Sequence, residues 1–95
     1  MNTNVYLDFA LDRIHKTHQR QIDGAQETRA NDVAKGRTGL VHRADSVLDE
    51  LQQQRTALMV AEIDAAIFTG ECGIRQLAEI VHKFPYLDGL FDGRL

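Results

Sequence analysis

The residues from Leu40 to Phe68 place the strongest constraint on what this chain can fold into. Apolar side chains recur there every three or four residues, which keeps them on one side of an α-helix. No glycine or proline interrupts the segment, and Gly70 follows at a position that favours a helix C-terminus. The sequence therefore predicts a long helix over residues 40–69.

A second long helix is predicted over residues 4–35. Candidate N-cap side chains come just before it, at Asn2, Thr3 and Asn4. Steps of three and four residues then define a packing seam. The seam residues are Leu7, Leu11, Ile14, His18, Ile22 and Ala25.

From Gln19 to Gly39 the chain becomes polar, and two interpretations are open. Gly24, Asn31 and Asp32 are compatible with a mobile loop. The segment is also rich in Ala, Gln, Glu, Arg and Lys, which favour a continued helix. We favour the helix, because Val33 keeps the apolar pattern weakly present.

Gly36 and Gly39 bracket a turn predicted over residues 36–39. A turn there makes the two helices antiparallel and sets apolar residues opposite one another. The expected pairs are Ile22 with Leu51, Ala25 with Leu48, Val33 with Leu40 or Val41, and Leu7 with Ala66. The predicted fold class is all-α, a long antiparallel helical hairpin with short C-terminal helices.

The C-terminal part is predicted to close the open end of this hairpin, near residues 5–14. An amphipathic helix is expected over 74–84, ended by Pro85, which disfavours helix in the residue before it. A short turn or helix over 86–92 then packs its apolar residues inward. These are Tyr86, Leu87, Leu90 and Phe91. The whole of 1–95 is predicted to be a single helical domain.

Four apolar residues lie off the shared seam of the two long helices: Phe9, Ala10, Val47 and Met59. One partner helix cannot cover so wide an apolar face. We therefore expect a homodimer that forms a helical bundle. The C-terminal segment either closes the end of its own hairpin or reaches across to the second subunit.

Composition narrows the classes of function. A formal charge of −3 argues against nucleic-acid binding through net charge alone. The single cysteine excludes an internal disulfide framework and fits a reducing compartment, and residues 1–9 do not resemble a signal peptide. No apolar run is long enough to cross a bilayer. We expect a cytoplasmic protein with no membrane association.

Motifs for catalysis are weak. Asp12, His15 and His18, together with His82, form the nearest approach to a metal site, and a metal-binding bundle is kept as an alternative. Cys72 lies near a helix start that can lower a thiol pKa, but a small apolar residue at a helix cap is the simpler interpretation. We expect no enzyme, no cofactor and no small-molecule substrate.

The leading interpretation is a non-enzymatic protein-interaction module. The small bacterial and phage proteins that share this helical pattern include adaptors, chaperones and inhibitors, and no motif selects one family. The expected partner-binding residues are those of the polar arm and the hairpin tip. They are Gln26, Arg29, Asp32, Lys35, Arg37, His42 and Arg43.

Two other accounts of the tip stay open. Its basic residues can touch phosphates, which makes a nucleic-acid-associated regulator the alternative function. They can also pair with acidic residues of the second helix, Arg29 with Asp45 for example, and such surface pairs stabilise a fold only slightly.

Overall fold

The structure is a computed structural model that describes residues 4–92. Within that range the chain forms α1 (Val5–Ala34), α2 (Thr38–Phe68), α3 (Ile74–Lys83) and a 3-10 turn (Pro85–Leu87). α1 and α2 pack against each other as a hairpin in a molecule that measures 54 × 24 × 18 Å. The predicted all-α helical hairpin is confirmed. None of these helices is apolar over a stretch long enough to span a membrane.

Hydrogen bonds at the helix ends explain why the boundaries fall within two residues of those predicted. Asn4 is the N-cap of α1, where its side-chain Oδ1 accepts from the amide of Leu7 at 3.0 Å. α1 ends where Gly36 takes a positive φ of 68° and the amide of Arg37 donates back to the carbonyl of Asp32 at 2.9 Å. The other two N-cap candidates, Asn2 and Thr3, lie outside the described residues.

The same kind of helix end occurs after α2 and turns the chain back along the hairpin. Gly70 has a φ of 76°, and the amide of Glu71 donates to the carbonyl of Ala66 at 2.8 Å. Only a residue without a Cβ adopts this conformation at little cost. α3 and the 3-10 turn then lie against the open end of the hairpin.

The main core lies at that open end and joins all of the helices. Its buried residues come from α1 (Leu7, Leu11), α2 (Met59, Ile63, Ala66), the loop (Cys72), α3 (Leu77, Ile80) and the C-terminal part (Phe84, Leu87, Phe91). Each fully buried aliphatic side chain contributes about 1.5–3 kcal/mol by leaving water. The C-terminal segment thus closes the end of its own hairpin, which is the first of the two arrangements predicted for it.

Three expectations about apolar residues are wrong. Met59 is completely buried rather than on an open flank, because the C-terminal segment also covers α2. Leu90 stays 41% exposed while Leu87 and Phe91 pack inward. Val33 is 52% exposed, because the inner face of α1 near the tip continues through residues 25, 29 and 32 instead.

The interior of α1 contains one glycine that has no steric role. At Gly24 an added Cβ would meet no atom within 4 Å, and the backbone is helical. We expect Gly24→Ala to raise the free energy of unfolding by about 0.5–1 kcal/mol, because alanine loses less conformational entropy in a helix. Chemical denaturation of the variant measures this.

Gly36 provides the matched control for Gly24. Its surroundings are equally open, but its φ is +68°. Gly36→Ala is therefore expected to destabilise by about 1–2 kcal/mol. Equal effects of the two substitutions would contradict the assignment of Gly36 as the residue that ends α1.

Candidate partner-binding surface

The hairpin tip presents a small group of basic side chains to solvent. Lys35 and Arg37 lie in the link between α1 and α2, and His42 and Arg43 lie in the first turns of α2. All four are exposed. The two helix ends hold their backbones in place, so the group is a fixed feature of the tip.

Three of the seven expected partner-binding residues, Arg29, Asp32 and Arg37, form ion pairs within the hairpin. Arg29 Nε donates to Asp45 Oδ1 and so links α1 to α2, which confirms the pair predicted from the sequence. Asp32 is only 7% exposed, and its Oδ1 lies 3.9 Å from Arg37 Nη1. Asp32 was selected as an accessible residue, and that premise is wrong because its side chain lies between the two helices.

Five expected residues remain accessible: Gln26, Lys35, Arg37, His42 and Arg43. They lie on the half of the hairpin that is remote from the main core, where Ile22 and Ala44 are the buried apolar residues. This half is a slender two-helix arm with a basic end. Such an arm can enter a cleft or lie along an acidic surface of a larger partner.

A cluster of rings at the other half was not predicted. His15 on α1 lies 4.9 Å from Phe84 and 5.8 Å from Tyr86, measured between ring centroids. His15 Nδ1 and Tyr86 Oη also form a hydrogen bond of 2.9 Å. The residue suggested as a metal ligand therefore fastens the C-terminal segment to α1.

Arg55 completes this cluster, and the sequence pattern did not predict this role either. The guanidinium lies 4.0 Å from the Tyr86 ring centroid, and Nη1 donates to Gln19 Oε1 at 2.7 Å. The residue is 9% exposed, and none of the ion pairs within residues 4–92 includes it. Its buried Nε has no hydrogen-bond partner in that range. A cation–π contact thus takes the place that a carboxylate occupies around most buried arginines.

The environment of His15 makes the stability of this region depend on pH. Burial lowers the pKa of His15, and so do the positive charges of Arg55 and, to a smaller extent, Lys83. The negative charge of Asp12 raises this pKa, but its effect is smaller than that of burial or of Arg55. The folded protein therefore holds this imidazole neutral where an unfolded chain begins to protonate it, near pH 6.5. Stability from this group is present above that pH and is lost as the pH falls.

We expect the melting temperature to fall between pH 7.5 and pH 5.5, and the fall to be smaller in His15→Gln. The glutamine keeps a polar side chain but does not titrate. His42→Gln is the matched control, because it makes the same substitution at an exposed residue of the tip, away from the ring cluster. An identical pH profile for wild type and His15→Gln would contradict the assignment.

The residues of the suggested metal site are not brought together. Asp12 Oδ1 accepts from Lys83 Nζ at 2.6 Å, and His18 Nδ1 donates to the carbonyl of Ile14 at 2.9 Å. Among residues 4–92 no three His, Cys, Asp or Glu side chains are grouped so that they could hold a metal ion. Asp12 and His18 act instead as hydrogen-bonding residues of α1.

Cys72 lies in the core, one residue before the N-cap of α3. It is 3% exposed, and burial, together with the charge of Asp8, raises the pKa of its thiol. A raised pKa keeps the sulfur in its unreactive protonated form at neutral pH. The simpler of the two interpretations of Cys72, a small apolar residue at a helix cap, fits this environment.

Comparison of the chain with protein-family models, with curated proteins and with solved structures finds no match. The function is therefore argued from the arrangement of the residues themselves.

Proposed function

We propose that this chain is a non-enzymatic helical module that binds a protein partner through the tip of its hairpin. The observation that supports it is the separation of the molecule into two halves. The main core and the C-terminal segment lie at one end of a 54 Å molecule, and the basic group of the tip, Lys35, Arg37, His42 and Arg43, lies at the other. The core end fixes the hairpin, and the arm carries the contact surface outward.

The charge of the tip favours an acidic partner surface. Lys35 forms no ion pair within residues 4–92, so its charge is available to a partner. Charges at the edge of an interface mainly speed association and select the partner. A partner contacted in this way can be a machine that the module blocks, or a client that it holds.

The proposed module also self-associates. Leu40, Val47 and Leu58 of α2 are 40–46% exposed, although each is a large apolar residue of a long helix. A two-fold homodimer would cover apolar surface of this kind and give a helical bundle.

A pull-down with the tagged full-length chain tests partner binding. We expect a discrete protein that is still recovered after nuclease treatment. The test variant is Lys35→Glu with Arg37→Gln, because glutamine can still donate to Asp32. Recovery should fall sharply with this variant.

The matched control is Arg20→Glu with Arg75→Gln. It makes the same change of net charge at exposed residues away from the tip. Equal recovery with both variants would contradict a role for the tip. Partners that disappear after nuclease treatment would instead favour the alternative of a nucleic-acid-associated regulator, whose binding should weaken steeply with salt.

A further inference from the structure

We propose that two copies of this chain pair through α2, with the two α2 helices antiparallel and Gln54 at the two-fold axis. The proposal rests on the self-association proposed above and names the surface that forms it. The seam is built on every seventh residue of α2: Leu40, Val47, Gln54, Ala61 and Phe68. A strict seven-residue repeat is the pattern that keeps one side of a helix against a second helix.

The positions between these residues complete the repeat. They are Ala44, Leu51, Leu58 and Ala65, so the seam advances by alternating steps of four and three along roughly 42 Å of helix. Gln54 is its one polar member. A single polar residue in an apolar seam fixes the register of two helices, because it is satisfied only opposite a polar partner.

This seam lies beside the one that closes the hairpin and shares Ala44 with it. The buried residues of α2 are Ala44, Arg55, Met59, Ile63 and Ala66, and Val60 and Ile67 are partly buried against the main core. On the remaining side Leu58 is 46% exposed and Phe68 is 92% exposed. Ala44 is buried and Leu51 is partly buried, but the other seven residues of the seam are exposed, so a second copy can reach them without rearrangement of the fold.

An antiparallel arrangement about Gln54 matches the sizes of the side chains. Residues equally far from position 54 meet, so that Phe68 faces Leu40 and Ala61 faces Val47 of the second copy. In a parallel arrangement each residue would face its own copy. Ala61 would then meet only alanine instead of Val47 and leave space unfilled, which costs packing energy.

Charges beside the seam favour the same arrangement. Arg43 lies eleven residues before Gln54, and Asp64 lies ten residues after it. Both are at the seam's outer edge, one helical position before Ala44 and Ala65. The antiparallel pairing brings Arg43 of one copy beside Asp64 of the other, twice by symmetry, and this complementarity selects a second copy as the occupant.

Gln54 changes its hydrogen bonding in this arrangement. In the single chain its Nε2 donates to Glu50 Oε1 at 3.4 Å, a long bond at an exposed position. At the two-fold axis the amide groups of two Gln54 residues can donate to and accept from each other. The residue that looks like an interruption of the seam then becomes its central polar contact.

Sedimentation of the full chain at micromolar concentration is the first test. We expect twice the 10.7 kDa mass of one chain. Leu58→Arg should give the mass of one chain with an unchanged helical circular dichroism spectrum, because residue 58 is half exposed in the fold. Phe9→Arg is the matched control, since Phe9 is 69% exposed on α1 away from the seam, and it should keep the doubled mass.

Cross-linking tests the register independently. In a Cys72→Ala background, Gln54→Cys should form a disulfide-linked dimer under mild oxidation, because the introduced thiols meet at the axis. Gln53→Cys, which is exposed one residue earlier on another face, should stay unlinked. A doubled mass in Leu58→Arg without the Gln54→Cys cross-link would overturn this seam and leave self-association standing. A wild-type mass of one chain would overturn both.

Discussion

Leu87→Ala is expected to lower the free energy of unfolding by about 2–5 kcal/mol, the cost of removing a fully buried leucine. Leu87 has no exposed surface and lies in the cluster that joins α1, α2 and α3. It is also the last residue of the 3-10 turn, where its amide donates to the carbonyl of Phe84 at 2.9 Å. The lost side chain leaves a cavity that the long helices cannot close, because their own packing fixes their separation.

Leu90→Ala is the matched control for this prediction. Leu90 lies three residues further along and is 41% exposed, so its truncation should cost less than about 1 kcal/mol. Both variants are measured by urea denaturation at one protein concentration, since self-association would link stability to concentration. Similar losses for Leu87→Ala and Leu90→Ala would show that the C-terminal segment does not close the hairpin as the structure describes.

The hairpin was predictable because its signals are local and repeat many times. Apolar spacing defines α1 and α2, and glycines at residues 36 and 70 end them, so an error of one or two residues at an end does not change the topology. The position of the C-terminal segment also followed from the sequence. An apolar terminus after Pro85 has few surfaces to cover other than the open end of the hairpin.

The polar residues inside the fold were not predictable by the same reasoning. Arg55 and Asp32 lie on inner faces of their helices. Asp32 was expected to be accessible, as charged residues usually are, and no prediction was made for Arg55. A signal was present for Arg55: it lies four residues before Met59 and so occupies an inner position of α2. Its partners Gln19 and Tyr86 are distant in sequence, and no spacing rule connects them.

For the partner-binding surface, the sequence could predict only which residues are exposed. Lys35, Arg37, His42 and Arg43 are exposed because the tip has no third element to cover them. The sequence could not show that Asp32 turns inward, since that depends on how α1 ends at Gly36. Helix periodicity therefore assigns faces well along a helix and less well in its last turn.

Gln76 is the polar residue on which the start of α1 most depends. It is 6% exposed on α3, and its amide pairs with the backbone of Asn4 in both directions. Oε1 accepts from the Asn4 amide at 3.0 Å, and Nε2 donates to the Asn4 carbonyl at 2.9 Å. Because Asn4 is the N-cap of α1, this contact holds the first turn of the hairpin against α3.

Gln76→Ala is expected to destabilise the protein by about 1–3 kcal/mol, because it removes two partly buried hydrogen bonds and leaves the Asn4 amide without this partner. Gln53→Ala is the control: Gln53 donates only to Asp49 on an exposed surface and should cost less than about 0.5 kcal/mol. Equal losses in urea denaturation would contradict the proposed contact.

Gln76→Glu separates the hydrogen bonds of this residue from its packing. The carboxylate keeps the shape of the amide but cannot donate to the Asn4 carbonyl, and it faces the carboxylate of Asp8, to which Nε2 now donates at 3.2 Å. Desolvation and the like charge favour the protonated acid, which can donate in place of the amide. The stability deficit relative to wild type should therefore be large at pH 7 and shrink towards pH 4. A deficit that does not change with pH would mean that Gln76 acts by packing alone.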